Sequence, residues 1–217
     1  MASFHWPAGT TVSGGNILPF RRPAPQEVAS PVPDLKLSDK ALLMACVVGE
    51  QAALGTLYDR HHRPVYRFVS RIASAPYSDV EDLVQCTFIE VWKSCSRFHG
   101  KGTIRSWIFG ISANLTRHYV RSEMRRRCAM DGLSEIPQAS ETLPDASVNH
   151  QQLLGQLSKA LQELSYNQRV AFVLCDIEEM SGIEAARTLG IRNGTLWRRL
   201  HDARKNLRSK LESGGPS

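Results

Sequence analysis

The stretch Ser181-Gly182-Ile183-Glu184-Ala185-Ala186-Arg187-Thr188-Leu189-Gly190-Ile191-Arg192-Asn193-Gly194-Thr195-Leu196-Trp197-Arg198-Arg199-Leu200 decides the fold of the C-terminal part of the chain. Ser181 and Glu184 are spaced as a capping box, which opens a short helix over Glu184 to Leu189 that stops at Gly190. Ile191 and Arg192 form a turn. Asn193 is then placed to cap a longer helix in which Leu196, Leu200, Ala203 and Leu207 recur at helical spacing. Helix, tight turn and helix make a helix-turn-helix motif. Outside its apolar stripe the second helix carries Arg198, Arg199, Arg204, Lys205 and Arg208. A guanidinium fork matches guanine edges and phosphates, which suits this helix to DNA; a structural hairpin with a solvated face is the plainer alternative. Ahead of the motif, Leu153, Leu157, Leu161 and Leu164, then Val170, Val173 and Leu174, predict two supporting helices over residues 153–180.

Working toward the N-terminus, residues 128–149 hold Asp131, Glu135, Glu141 and Asp145, two prolines and no Lys or Arg. They read as a flexible acidic linker whose 22 residues reach on the order of 70 Å when extended, so the blocks on either side need not touch. Residues 38–127 form a second helical block. Ser78-Asp79-Val80-Glu81 is a capping box, followed by a buried stripe of Val80, Leu83, Val84, Thr87, Phe88, Val91 and Cys95. Asp82, Gln85 and Ile89 fall on another face, which puts an apolar side chain in solvent either by accident of composition or as a docking surface. A second helix runs from Thr103 to Arg127 with Ile104, Trp107, Ile108, Ile111 and Leu115 as its core stripe. Asn114, Arg117, Arg121 and Arg125 follow one another on its outer side, with His118 adjacent. A solvated face usually alternates its charges, and here Glu123 alone answers the arginines between Arg105 and Arg127, so the pattern favours a phosphate track. The preceding loop mixes Phe98 and His99 with Arg97, Lys101 and Arg105, the combination that holds an unpaired strand by stacking and charge. Residues 1–37 contain six of the chain's 11 prolines and read as a disordered arm, and residues 212–217 as a tail.

The bulk properties agree but decide little. A net charge of +6 and a pI near 9.2 lean toward a polyanionic partner. No stretch reaches the roughly 20 apolar residues of a membrane span, and Arg21-Arg22 runs into prolines where an export signal would turn apolar. Five scattered cysteines without a CxxC pair suit the reduced cytoplasm. Cys95 and His99 are two ligand types four residues apart, too few for a metal site, and no metal or other cofactor is expected. HExxH, GxSxG and phosphate-binding glycine loops are absent, and His61, His62 and His118 have no evident catalytic partners, so an enzyme is not expected.

Taken together, Asp82-Leu83-Val84-Gln85-Cys86-Thr87-Phe88, Trp92, Arg97-Phe98, Ser106-Trp107-Ile108 and Ile111-Ser112-Ala113-Asn114 closely resemble region 2 of extracytoplasmic-function sigma factors. Ala160-Leu161-Gln162-Glu163-Leu164, Glu184-Ala185-Ala186, Leu189-Gly190-Ile191, Gly194-Thr195-Leu196 and Ala203-Arg204 resemble their region 4, in the family's order and spacing. The resemblance implies an all-α protein of two small helical domains, region 2 over 38–127 and region 4 over 150–211, joined by the linker. It implies a non-catalytic initiation subunit that binds core RNA polymerase and promoter DNA, both duplex and opened strand, and an anti-sigma factor as a further partner. Asp82, Gln85, Ile89 and Trp92 would grip the polymerase clamp helices. Arg97, Phe98, His99, Lys101 and Arg105 would capture a flipped base of the −10 element, with Asn114, Arg117 and Arg121 on the duplex just upstream. Trp197, Arg198, His201 and Asp202 would face the −35 element, Arg199 and Arg204 its phosphates, with Asn193 and Thr195 at the start of the same helix. The linker would thread the polymerase's RNA path. His118, Ser165 and Ala185 depart from the family pattern, as do Trp197, His201 and Asp202. A helix-turn-helix repressor or activator that works without polymerase is the rival from another class.

Overall fold

Ser38 accepts a hydrogen bond from the Ala41 N–H at 3.3 Å and caps α1 (Asp39–Val47). This is the first element of a computed structural model that describes residues 37–130, 157 and 159–213; the N-terminal arm and nearly all of the linker lie outside the described residues. α1 is pinned to α2 (Gln51–Ala73) by Asp39, which takes Arg60 at 3.0 Å and His61 at 2.8 Å. Burial alone would raise the Asp39 carboxyl, but these two hydrogen bonds outweigh it and hold it below the usual carboxylate range.

α3 (Tyr77–Ser94) begins two residues before the start that the Ser78–Glu81 spacing predicts. Pro76 occupies the cap position, so Ser78 lies inside the first turn and its hydroxyl donates to Asp79 instead. The predicted stripe is buried throughout, from Val80 to Cys95. A 3-10 turn (Cys95–Arg97) and a loop lead to α4 (Ile104–Met130), which runs past Arg127 into the first residues assigned to the linker. Thr103 caps it by accepting from the Ser106 N–H at 3.0 Å.

In the second block, residues 159–163 are helical and Ser165 opens α5 (Tyr166–Phe172) with a complete capping box to Gln168. Ser165, a departure from the family pattern, thus starts a helix by its own chemistry. One π turn (Val173–Ile177) follows, and the chain leaves it through Glu179 at φ 54°. α6 (Gly182–Thr188) and α7 (Asn193–Ser213) form the predicted helix-turn-helix. The Ile191 N–H bonds the Ala186 carbonyl at 3.0 Å across Gly190, whose φ of +63° is the left-handed C-terminal stop that favours glycine. α6 is capped by Ser181, but Glu184 does not close the box because its carboxylate accepts from Thr103 of the first block. At the start of α7, the Arg192 carbonyl accepts from both Thr195 and Leu196. Arg192, rather than Asn193, therefore holds the cap position.

The linker's reach left the two blocks free to sit apart, yet here they share one core. Leu57, Phe68, Val69 and Ile72 of α2, Val84 and Val91 of α3, and Ile108 and Phe109 of α4 cluster with Val170, Val173, Leu174, Ala185 and Leu196 of the second block. A smaller cluster joins Leu161 and Leu164 to Ala203 and Leu207 beneath α7. Polar ties cross the same seam. Arg169, buried, donates to the carbonyls of Ile72, Gln162 and Leu164 and to the Ser74 hydroxyl. It thereby serves two chain ends that have run out of helical donors. Burial lowers its pKa from the ordinary value.

The Tyr166 hydroxyl donates to the Ala113 carbonyl across the seam, and burial, the main cause, keeps its phenol well above the usual range. Tyr119 is raised as well, by burial and then by its hydrogen bond to Asp79. A raised native pKa contributes stability that is complete below the unfolded value, near 10, and is lost as pH climbs above it. The wild type should therefore show an alkaline loss of stability beginning above about pH 10, and Tyr119→Phe/Tyr166→Phe should shrink that loss in denaturant titrations at matched pH. An identical alkaline limb in the double variant would contradict this.

Candidate promoter and polymerase interface

Three helical faces and the loop ahead of α4 carry the candidate residues. On α3, Asp82 and Gln85 are exposed and Ile89 is 52% exposed, because the stripe on the opposite side takes the whole core contact. Trp92 is only half-exposed and packs against the main core, so it borders this face rather than standing on it.

On α4, Asn114, His118, Arg121 and Arg125 are exposed. Arg117 is half-buried and donates to the Asn114 side chain at 2.9 Å, which fixes both at the head of the basic stripe. In the preceding loop, Arg97, His99 and Lys101 are exposed. Phe98 is not a free stacking platform: it is half-buried, with its ring centroid 5.4 Å from that of Trp107. Gly102 is required by its φ of +109°, and a side-chain carbon there would also sit 3.1 Å from the Ser106 hydroxyl. Arg105, expected on the opened strand, instead pairs with Glu178, which also takes Arg71 at 3.1 Å. The Glu178 side chain is 8% exposed, and a carboxylate that buried needs cationic partners to offset its lost hydration.

On α7, Asn193, Thr195, Trp197, Arg198 and His201 are exposed, while Arg199 and Asp202 are half-buried. The buried stripe Leu196, Leu200, Ala203 and Leu207 turns this row outward. Arg204, expected on a phosphate, forks onto Asp176 with bonds of 3.0 and 2.6 Å, an arrangement that further raises its pKa. Asp176 lies within the π turn and Glu178 caps its end, and each claims an arginine that charge pattern alone assigns to DNA. Between α4 and α6 lies a cleft of about 200 Å³ bordered by Lys101, Trp107 and Asn114 on one side and by Glu184 and Arg187 on the other.

The sequence reading missed Arg71, Asp176 and Glu178 and gave Glu184 only a capping role; their partners lie far along the chain, and no local spacing signals such contacts. Among the described residues no three His, Cys, Asp or Glu side chains gather as a metal site, and no helix is long and apolar enough to cross a membrane.

Residues 57–126 match the family Sigma-70 region 2, and residues 154–207 match Sigma-70, region 4. The ECF RNA polymerase sigma factor SigE of Mycolicibacterium smegmatis is 36% identical over 75% of this chain and 64% of its own length. The RNA polymerase sigma factor NccH of Alcaligenes xylosoxydans xylosoxydans is 31% identical over 81% of this chain and 95% of its own. Among solved structures, CnrH in complex with the cytosolic domain of CnrY superposes with a TM-score of 0.60 at 27% identity, covering 82% of this chain and 99% of CnrH. The sigma factor RpoE of Bartonella quintana, in complex with the anti-sigma factor NepR, gives a TM-score of 0.61 at 25% identity, covering 74% of this chain and 98% of RpoE. With both conserved regions present in order on an all-α scaffold, the chain belongs to the extracytoplasmic-function sigma factors, the alternative sigma factors of transcription initiation.

Proposed function

We propose that the three exposed faces divide the work of promoter opening, and that the chain works in the cytoplasm and catalyses no reaction itself. Asp82, Gln85 and Ile89, bordered by Trp92, bind the clamp helices of core RNA polymerase. Arg97, His99 and Lys101 hold the opened −10 strand, with Phe98 at the edge of its pocket, while Asn114, Arg117 and Arg121 track the duplex phosphates. Arg105 joins them only by leaving Glu178. The outer row of α7 reads the −35 element, with Arg198 as its guanine-reading fork and Arg199 on phosphate; Arg204 reaches phosphate only by releasing Asp176. By likeness to RpoE, whose structure holds the anti-sigma factor NepR, and to CnrH, whose structure holds the cytosolic domain of CnrY, an anti-sigma factor is a partner of this chain too. The observation that carries this division is that the α3, α4 and α7 faces are each turned outward by a buried stripe on the same helix. Each is thus available without unfolding its domain.

Two substitutions test it. Asp82→Lys should weaken association with core polymerase about tenfold, ~1.4 kcal/mol, while leaving the circular-dichroism melt unchanged; wild-type affinity would remove Asp82 from the interface. Arg198→Ala should cost roughly 1–3 kcal/mol at promoters selected by their upstream box if its contact is bidentate, and an unaltered promoter preference would overturn that assignment.

A further inference from the structure

Trp197 is 50% exposed on the outer row of α7, although the core beneath that helix is already filled by Leu196, Leu200, Ala203 and Leu207. Its ring is not loose. A side-chain carbon built at Gly182 would lie 2.7 Å from Cζ2 and 3.1 Å from Cε2 of Trp197, so the benzo edge of the indole rests on the bare backbone of the first residue of α6. Glycine at 182 is needed for that approach, since any Cβ would displace the ring. The next residue, Ile183, is 65% exposed. Two large apolar side chains thus stand exposed where the two helices of the motif meet, at the N-terminal end of α7, the end from which recognition helices present side chains to base edges.

Everything else on this row is polar: Asn193, Thr195, Arg198 and His201. Polar side chains serve the donor and acceptor edges of bases and the phosphates, none of which rewards an indole or an isoleucine. The one apolar group that base pairs display in the major groove is the C5 methyl of thymine. A ring already fixed by its neighbour meets it without losing further side-chain freedom. We infer that Trp197, seated on Gly182 and extended by Ile183, is a specificity-determining contact of α7 that reads thymine methyl groups in the upstream promoter box. The inference rests on α7 being the −35 reader and adds which base feature it selects.

The test uses polymerase holoenzyme reconstituted with the full chain. An upstream box is first selected by run-off transcription from a promoter library randomised at that box. Each thymine of the selected box is then replaced by deoxyuridine, which removes the methyl and leaves base pairing intact. Wild-type holoenzyme should lose about threefold to tenfold in binding at one or two positions. Trp197→Ala should be insensitive to methyl removal at those positions, and Gly182→Ala, which keeps the indole but displaces it, should blunt the response. A selected box without thymine, or a methyl response identical in wild type and Trp197→Ala, overturns the inference while leaving α7 as the reader. An unchanged methyl response together with weaker holoenzyme assembly would instead assign the apolar ledge to a protein partner, and also overturns it. Selection that yields no upstream preference at all defeats the −35 reading itself, and the inference with it.

Discussion

Arg169→Met should lower the unfolding free energy by about 3 kcal/mol, because a buried group that served several acceptors is lost and those acceptors stay buried. The four bonds of Arg169 reach the C-terminal turn of α2, Ser74 just beyond it, and residues 162 and 164 ahead of α5. Methionine keeps the apolar stem and removes only the fork. Arg169→Lys should recover little of the loss, since a single ammonium has no planar fork to spread over both chain ends. The comparison to make is urea unfolding of the three proteins, with hydrogen exchange at the end of α2 as the local readout. A loss under about 1 kcal/mol, within the range of one ordinary hydrogen bond, would mean that Arg169 does not join the two blocks.

Phe109→Ala should be costlier still, about 3–5 kcal/mol from lost burial and the cavity left behind. Phe109 is fully buried and its ring stacks on the equally buried Phe68, centroids 4.6 Å apart at 20°. At roughly 2–4 °C per kcal/mol for a chain of this size, the melting temperature should fall by about 10 °C. Phe109→Leu, which retains most of the volume, should lose less than half of that. Equal losses for Ala and Leu would show that the stacking geometry, rather than the filled space, is what matters at this position.

Phe109 also shows where sequence reading stops. Ile104 and Ile108 are buried as the stripe predicts, and Trp107, Ile111 and Leu115 half-buried, but Phe109 falls outside that stripe. α4 packs against α2 and α3 and also against α6, so it has apolar contacts over more of its circumference than one stripe allows. Gly110 marks the second contact: a Cβ there would lie 2.8 Å from the Thr188 carbonyl oxygen of α6. Periodicity reports one buried face of a helix well; a second face made by a distant segment leaves no regular signature.

The candidate sites divide in the same way. The exposed Ile89, the outward Asn114 to Arg125 row and the α7 row were legible, because amphipathic spacing alone determines which residues a helix turns away from its core. Arg105 and Arg204 were not. A run of cations looks the same in sequence whether it awaits phosphate or is answered by a carboxylate far along the chain, as Glu178 and Asp176 answer these two. Helix ends were legible where the cap is local, as at Ser181, and misplaced where Pro76 pre-empted Ser78 and where Arg192 took the cap expected of Asn193; the Ser165 box was not anticipated.

The most direct test of the account is run-off transcription with purified core RNA polymerase on a genomic promoter library, with and without the full chain. Transcripts should appear only when both are present, with start sites that share an upstream and a −10 box, and the chain alone should bind the same promoters poorly. Tight, specific duplex binding by the chain without polymerase, and no new transcripts when the two are combined, would contradict it.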